Sequence, residues 1–272
     1  MLTDAHCHPF DLAQVFPEAE EERRRLGVIA ASSACDMEEF AHCEGLAKKA
    51  AVEGAAPLLP CFAIHPQLPA AGGEKQADKK SSTDNGLTAL FKLAGEGRIA
   101  AIGECGFDLY NERFRETEKI QEYLFAQHLE TALRYDLPVV IHARRAMHKI
   151  FANAKILSKC RTVVFHSWSG TLEEGQALLR RKVNAYFSFG NAVMNGHKKA
   201  MHCCAAFPVE RLLTETDAPF QPQRGQNFSW WADLSAVIKT AASLRGEAES
   251  TVINEKDLET QIEANFRATF AV

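Results

Sequence analysis

Thr117–His142 reads TEKIQEYLFAQHLETALRYDLPVVIH, and its two halves obey different periodicities. In the first half Ile120, Leu124, Phe125, Leu129, Ala132 and Leu133 recur at helical spacing, which predicts an amphipathic helix over Thr117–Tyr135. Pro138 then opens Val139-Val140-Ile141, an apolar run without polar alternation. Such a run suits a parallel strand covered on both faces. A helix leading straight into a buried parallel strand is one half of an α/β repeat.

The unit recurs in both directions along the chain. Strands are predicted at Met1–Thr3, Gly27–Ala31, Leu58–Ile64, Ile99–Gly103, Pro138–Ile141, Thr162–Phe165, Ala185–Ser188 and Leu212–Thr214. Further helices are predicted at Met37–Val52, Leu87–Ala94, Ala146–Leu157, Leu172–Arg181, Trp230–Leu244 and Glu255–Ala268. Eight alternating units in 272 residues predict one α/β domain over 1–272, a (β/α)8 TIM barrel. The polar stretch AAGGEKQADKKSSTDNG, Ala70–Gly86, breaks the rhythm and reads as a flexible insertion. Glu20–Arg25, three acids followed by three arginines, reads as a solvated helix face with ion pairs one turn apart.

Composition narrows the function. The formal net charge is −4, with 31 Lys+Arg against 35 Asp+Glu, which argues against coating nucleic acid through bulk charge. A hydrophobic fraction of 46% excludes global disorder. No stretch approaches the ~20 apolar residues of a membrane span, and Met1–His6 lacks the basic and apolar regions of a secretory signal. The eight cysteines follow no framework spacing. A cytoplasmic protein with reduced thiols is therefore expected, with no membrane contact and no segment marking a stable protein partner.

The polar residues at the predicted strand ends carry the chemistry. The first strand leads into Asp4-Ala5-His6-Cys7-His8, where extended residues i and i+2 share a face about 6.6 Å apart, so His6 and His8 can converge on one cation. Other strands lead into His65, Glu104, His142, His166 and Asp217. In a barrel these ends form one rim, the place where active sites of this fold are built. Four imidazoles (His6, His8, His142, His166) with Glu104 and Asp217 exceed the ligand set of one catalytic zinc. Two ions bridged by a carboxylate would use them all, and Glu104, flanked by Gly103 and Gly106, is the best bridge.

These elements resemble the TatD family of metal-dependent hydrolases, within the amidohydrolase-like barrels. The resemblance rests on Asp4–His8, Ala63–Pro66, Ile102–Asp108, Pro138–Arg144, His166–Gly170 and Glu215–Phe220, in family order. It implies a dinuclear site and hydrolysis of phosphoester bonds, usually as a deoxyribonuclease. By position, it gives His6, His8, Glu104 and Asp217 to one metal and Glu104, His142 and His166 to the other. The chain departs from the family at Pro9-Phe10, at Ser167-Trp168 in place of a common Cys-Phe pair, and at Arg145 in place of a frequent acid.

Two divalent ions would acidify water and polarise a phosphoryl oxygen. Asp217, with Glu104 beside it in the catalytic group, is expected to orient that water and take its proton. His65 and Arg144 are expected to bind the substrate phosphate, and Asp4 and Asp108 to orient ligands. The His-rich donor set suits Zn²⁺ or Mn²⁺ better than Mg²⁺, and leaves the metal open. DNA is the leading substrate. A small amide, lactone or phosphoester is the alternative, and a metal-bearing scaffold without activity the third reading. His128 is expected to pack, as are Trp230 and Trp231, and His197 and His202 to flank Lys198-Lys199 on a plain surface helix.

Overall fold

The computed structural model describes residues 1–71 and 76–272. Eight strands run parallel in chain order: β1 (Thr3–Cys7), β2 (Ile29–Ala34), β3 (Leu58–Phe62), β4 (Ala101–Asp108), β5 (Val139–Arg144), β6 (Val163–Phe165), β7 (Ala185–Phe189) and β8 (Leu212–Thr214). The chain beyond β8 returns to β1, where Asp217 N–H donates to His6 C=O at 3.0 Å and His8 N–H to Ala218 C=O at 2.8 Å. This is the expected (β/α)8 barrel.

The apolar runs explain the layering. Val140 and Val164 join Ala5, Ile29, Leu59, Ala101 and Leu213 in one buried cluster, while their neighbours Val139, Ile141, Val163 and Phe165 belong to the cluster shared with the helices. Alternate residues of one strand thus fill the barrel and its jacket. Helix Glu255–Phe270 adds Phe266 and Phe270 to the inner cluster, and its Asn265 amide donates to the carbonyl of Leu212, where β8 begins. The C-terminal helix therefore plugs the end of the barrel away from the strands' C-termini.

Several expectations need correction. Strands β1, β2, β4 and β5 run three to five residues beyond their predicted ends. The parallel ladder continues through polar residues, so the first polar side chain does not mark where pairing stops. The helix expected over Ala146–Leu157 is two short helices, Met147–Ala152 and Ala154–Leu157, divided at Asn153. Of the polar stretch Ala70–Gly86, residues 72–75 lie outside the described residues. Its part from Gln76 onward is helical rather than turn-forming, as the start of helix Gln76–Gly95. The buried Leu87, Leu90 and Leu93 anchor that helix, and adding residues to an existing helix costs far less than starting one.

Arg23 is likewise not solvated. It is fully buried, paired with Glu20 at 2.8 Å and donating to the carbonyls of Val28, Ala56 and Pro57 beneath β2 and β3. His128 and the two tryptophans pack as expected. Trp231 is buried with its indole N–H on Ala19 C=O, and Trp230 lies edge-on to Phe16.

Candidate metal centre

Two breaks in strand register aim the rim side chains. Between β4 and β5, Ile102 pairs with Val139 but Cys105 with Ile141, so β4 spends one extra residue there. Ile102, Cys105 and Phe107 all face the helices, and the extra residue turns Glu104 and Asp108 into the barrel mouth. Glycine permits this. A Cβ at Gly103 would stand 2.5 Å from Val140 Cβ, and one at Gly106, where φ is +132°, only 2.2 Å from His142 C=O. A similar break between Asp4 and Cys7 in β1 lets Ala5 fill the barrel while the next residue, His6, also faces inward.

Five imidazoles then meet one carboxylate. Glu104 Oε2 lies 3.3 Å from His6 Nε2, 3.4 Å from His65 Nε2 and 3.9 Å from His8 Nε2. Its Oε1 lies 2.6 Å from His142 Nδ1 and 2.9 Å from His166 Nε2. Asp217 Oδ1 stands 3.5 Å from both His6 Nε2 and His8 Nε2, which are themselves 3.1 Å apart. Three overlapping triads could each hold an ion: His6, Glu104 and His166; His6, His8 and Asp217; His65, Glu104 and His142. All six expected ligands are brought together, and His65 joins them.

Electrostatics shows how much positive charge the cluster invites. Burial alone would raise Glu104, but the imidazoles of His166, His65, His6 and His142 outweigh it and hold the carboxyl well below its usual range. Burial likewise works against Asp217, yet the His8 hydrogen bond and the His166, His6 and His8 charges hold it low. His166 is pulled well above its ordinary value against the cost of burial by Glu104 and Glu215. His6 is pushed down by burial and by the charge of His166. Buried nitrogens and carboxylates in this proportion fit borderline cations, which replace the protons that the imidazoles would otherwise have to carry.

An outer layer fixes these groups, and sequence reasoning found only part of it. Asp108 Oδ2 contacts His142 Nε2 at 3.1 Å and accepts from the Gln67 amide at 2.7 Å. Asp4 accepts His6 N–H at 3.2 Å, Thr216 N–H at 3.0 Å and the Thr216 hydroxyl at 2.6 Å, which keeps His6 and the β8 loop in register. Ser33 Oγ meets His6 Nδ1 at 3.2 Å. Buried Glu215 accepts Ser167 N–H at 2.7 Å and lies 3.4 Å from His166 Nδ1. The Gln221 amide donates to Asp217 Oδ2 at 2.5 Å and to Ser167 Oγ at 3.0 Å. Ser33, Gln67, Glu215, Thr216 and Gln221 carried no role in the sequence reading; only Glu215 and Thr216 had a signal, their place in the Asp217 motif.

The cluster floors a cavity of about 870 Å³. Arg144 lines it, and so do His197 and Lys199, which are exposed as a surface helix implies but border the cavity. His197 precedes helix Lys198–Ala206, whose start faces the cavity, and Lys199 reaches Ser169 C=O at 3.3 Å.

Residues 3–271 match the family described as TatD related DNase. The chain belongs to the TatD family. It is 30% identical over 226 residues to the metal-dependent hydrolase YjjV of Escherichia coli K12, covering 82% of this chain and 81% of that one. It is 32% identical over 193 residues to the 3′-5′ ssDNA/RNA exonuclease TatD of Klebsiella pneumoniae, covering 68% and 70%. The crystal structure of Escherichia coli YjjV superposes with a TM-score of 0.80 at 26% identity, over 100% of this chain and 98% of the other. Like its TatD relatives, the chain is a metal-dependent hydrolase.

Proposed function

We propose that this TatD-family chain hydrolyses phosphodiester bonds in single-stranded nucleic acid, using two divalent ions linked through Glu104. One observation carries the reading: the two oxygens of Glu104 face separate donor sets, His6, His8 and His65 on one side, His142 and His166 on the other. His6, His8, Glu104 and Asp217 would hold the first ion, and Glu104, His142 and His166 the second. The nitrogen-rich set favours Zn²⁺ or Mn²⁺ over Mg²⁺. Relatives named as ssDNA/RNA exonucleases support a nucleic-acid substrate.

When bound, the ions supply Lewis-acid polarisation of the phosphoryl oxygen and acidify water. The protein's own groups do the rest. Asp217, ionised because neighbouring imidazoles hold its carboxyl low, orients the attacking water and accepts its proton. Its Oδ2 is pinned by Gln221, so the carboxylate keeps one orientation while Oδ1 faces the donors. His65, half-buried beside Glu104, and Arg144, exposed at the mouth, hold the phosphate by hydrogen bond and by charge.

Hydrolysis of end-labelled single- and double-stranded DNA tests this. Asp217→Asn is expected to lower kcat by about 10²–10⁴. Glu104→Gln, which loses the bridge, is expected to abolish turnover and weaken metal binding. DNA left intact by metal-loaded wild type, with turnover of a lactone or cyclic amide instead, would overturn the substrate class.

A further inference from the structure

The cavity walls differ in charge from bank to bank. On the β1–β2 side stand Asp11 and Glu39; on the β5–β7 side stand Arg144 and Lys199. The basic side continues outward past the cavity wall. Arg145 carries φ +54°, a left-handed turn that lets two consecutive side chains reach one ring. The Arg144 guanidinium lies 3.7 Å and that of Arg145 4.5 Å from the centroid of Tyr110, and Arg145 Nη1 donates to Tyr110 C=O at 3.2 Å. Neither arginine pairs with a carboxylate among the described residues, and both are exposed. At the other end Lys199 reaches Ser169, whose hydroxyl donates to Ala143 C=O at 2.7 Å, next to Arg144.

We propose that Arg145 on Tyr110 and Lys199 form a phosphate-binding bank that holds the substrate strand beyond the phosphate being cut. The inference rests on the phosphodiesterase reading and deepens it. A chain of net charge −4 attracts no polyanion in bulk, so capture must be local. Arg145, without a carboxylate partner among the described residues and already ordered on an aromatic ring, and Lys199, held at the Ser169 carbonyl, provide that capture with little further loss of freedom. The opposite acidic bank repels the same backbone, confining it to one side. Because Glu104 lies on the floor and is only 5% exposed, a phosphate reaches it from a flexible single strand and not from a rigid duplex. The expected ligand is a single strand several phosphates long, not a mononucleotide.

The test uses the full protein as purified and a labelled phosphorothioate decathymidylate, which keeps its charge but resists cleavage. Affinity is read by fluorescence anisotropy across a salt series. Arg145→Glu and Lys199→Glu are each expected to weaken binding about fivefold. Each should also reduce the slope of log affinity against log salt by about 0.7, the value of one single-strand phosphate contact. Arg145→Lys should keep the slope, and the decamer's advantage over a dinucleotide should shrink in Arg145→Glu. Unchanged slopes in both reversals, or no decamer binding by wild type, would overturn the bank. Hydrolysis of bis(p-nitrophenyl) phosphate by wild type reports on the active site separately. If it proceeds while the slopes stay unchanged, only the bank fails; if no diester of any length is cut, the phosphodiesterase reading fails.

Discussion

His128 shows how a residue with no place in the chemistry still supports it. It is fully buried on helix Glu118–Tyr135, and its Nε2 accepts Ile64 N–H at 3.0 Å, one residue before His65. Burial holds the imidazole down at about 3, against an ordinary value of 6.5. Between those values the unfolded chain binds more protons than the folded one, so stability rises with pH there and is lost as pH falls from about 6.5 towards 3. Two pH units into that window correspond to about 3 kcal/mol. His128→Gln keeps an acceptor for Ile64 N–H and does not titrate. Urea unfolding at pH 7 and pH 4.5 should therefore show an acid-induced loss smaller in the variant by about that amount.

At the scale of the element, the register breaks in β1 and β4 turn an ordinary barrel strand into one that aims His6, Glu104 and Asp108 into the barrel mouth. Strict alternation would send Glu104 toward the helices, because Ala101 faces in and Ile102 out. Gly106 sustains the close approach of β4 to β5. Gly106→Ala places a Cβ against His142 C=O and forbids the +132° φ, with no flexible side chain to give way. A loss of at least about 3 kcal/mol in thermal unfolding is expected, with weaker metal binding because His142 shares the displaced segment.

These breaks also mark the limit of what the sequence discloses. The apolar runs revealed the strand order and barrel, and the polar residues after them revealed His6, His8, Glu104, His142, His166 and Asp217 as one group. An extra residue in β4 leaves no trace in hydropathy beyond its glycines, so alternation alone does not disclose that Glu104 faces the barrel mouth. Ser33 and Gln67 lie on other elements than the residues they hold, and only folding brings them within 3.2 Å; Gln221 shares the segment after β8 with Asp217, but its second partner, Ser167, follows β6. Arg23 misled for the opposite reason: a charge run looks solvated until the buried carbonyls of Val28, Ala56 and Pro57 are placed around it.

For the whole molecule, the barrel and the metal cluster are separable. The inner and outer apolar clusters close without any rim ligand, whereas the rim gathers five imidazoles that gain from a cation. Chelation should therefore leave the far-UV circular dichroism unchanged while lowering the melting temperature. Ions at a hundred times their dissociation constant should restore about 3 kcal/mol. A chain that unfolds outright on chelation would mean that the metals are structural.

The most direct measurement is cleavage of end-labelled single-stranded DNA by metal-stripped protein titrated with Mn²⁺, with bound metal counted at each step. Cleavage that stays low through the first equivalent and rises with the second, in wild type and not in Glu104→Gln, is the expected result. Full activity at one bound ion, or none at two, would contradict a two-ion phosphodiesterase built on Glu104.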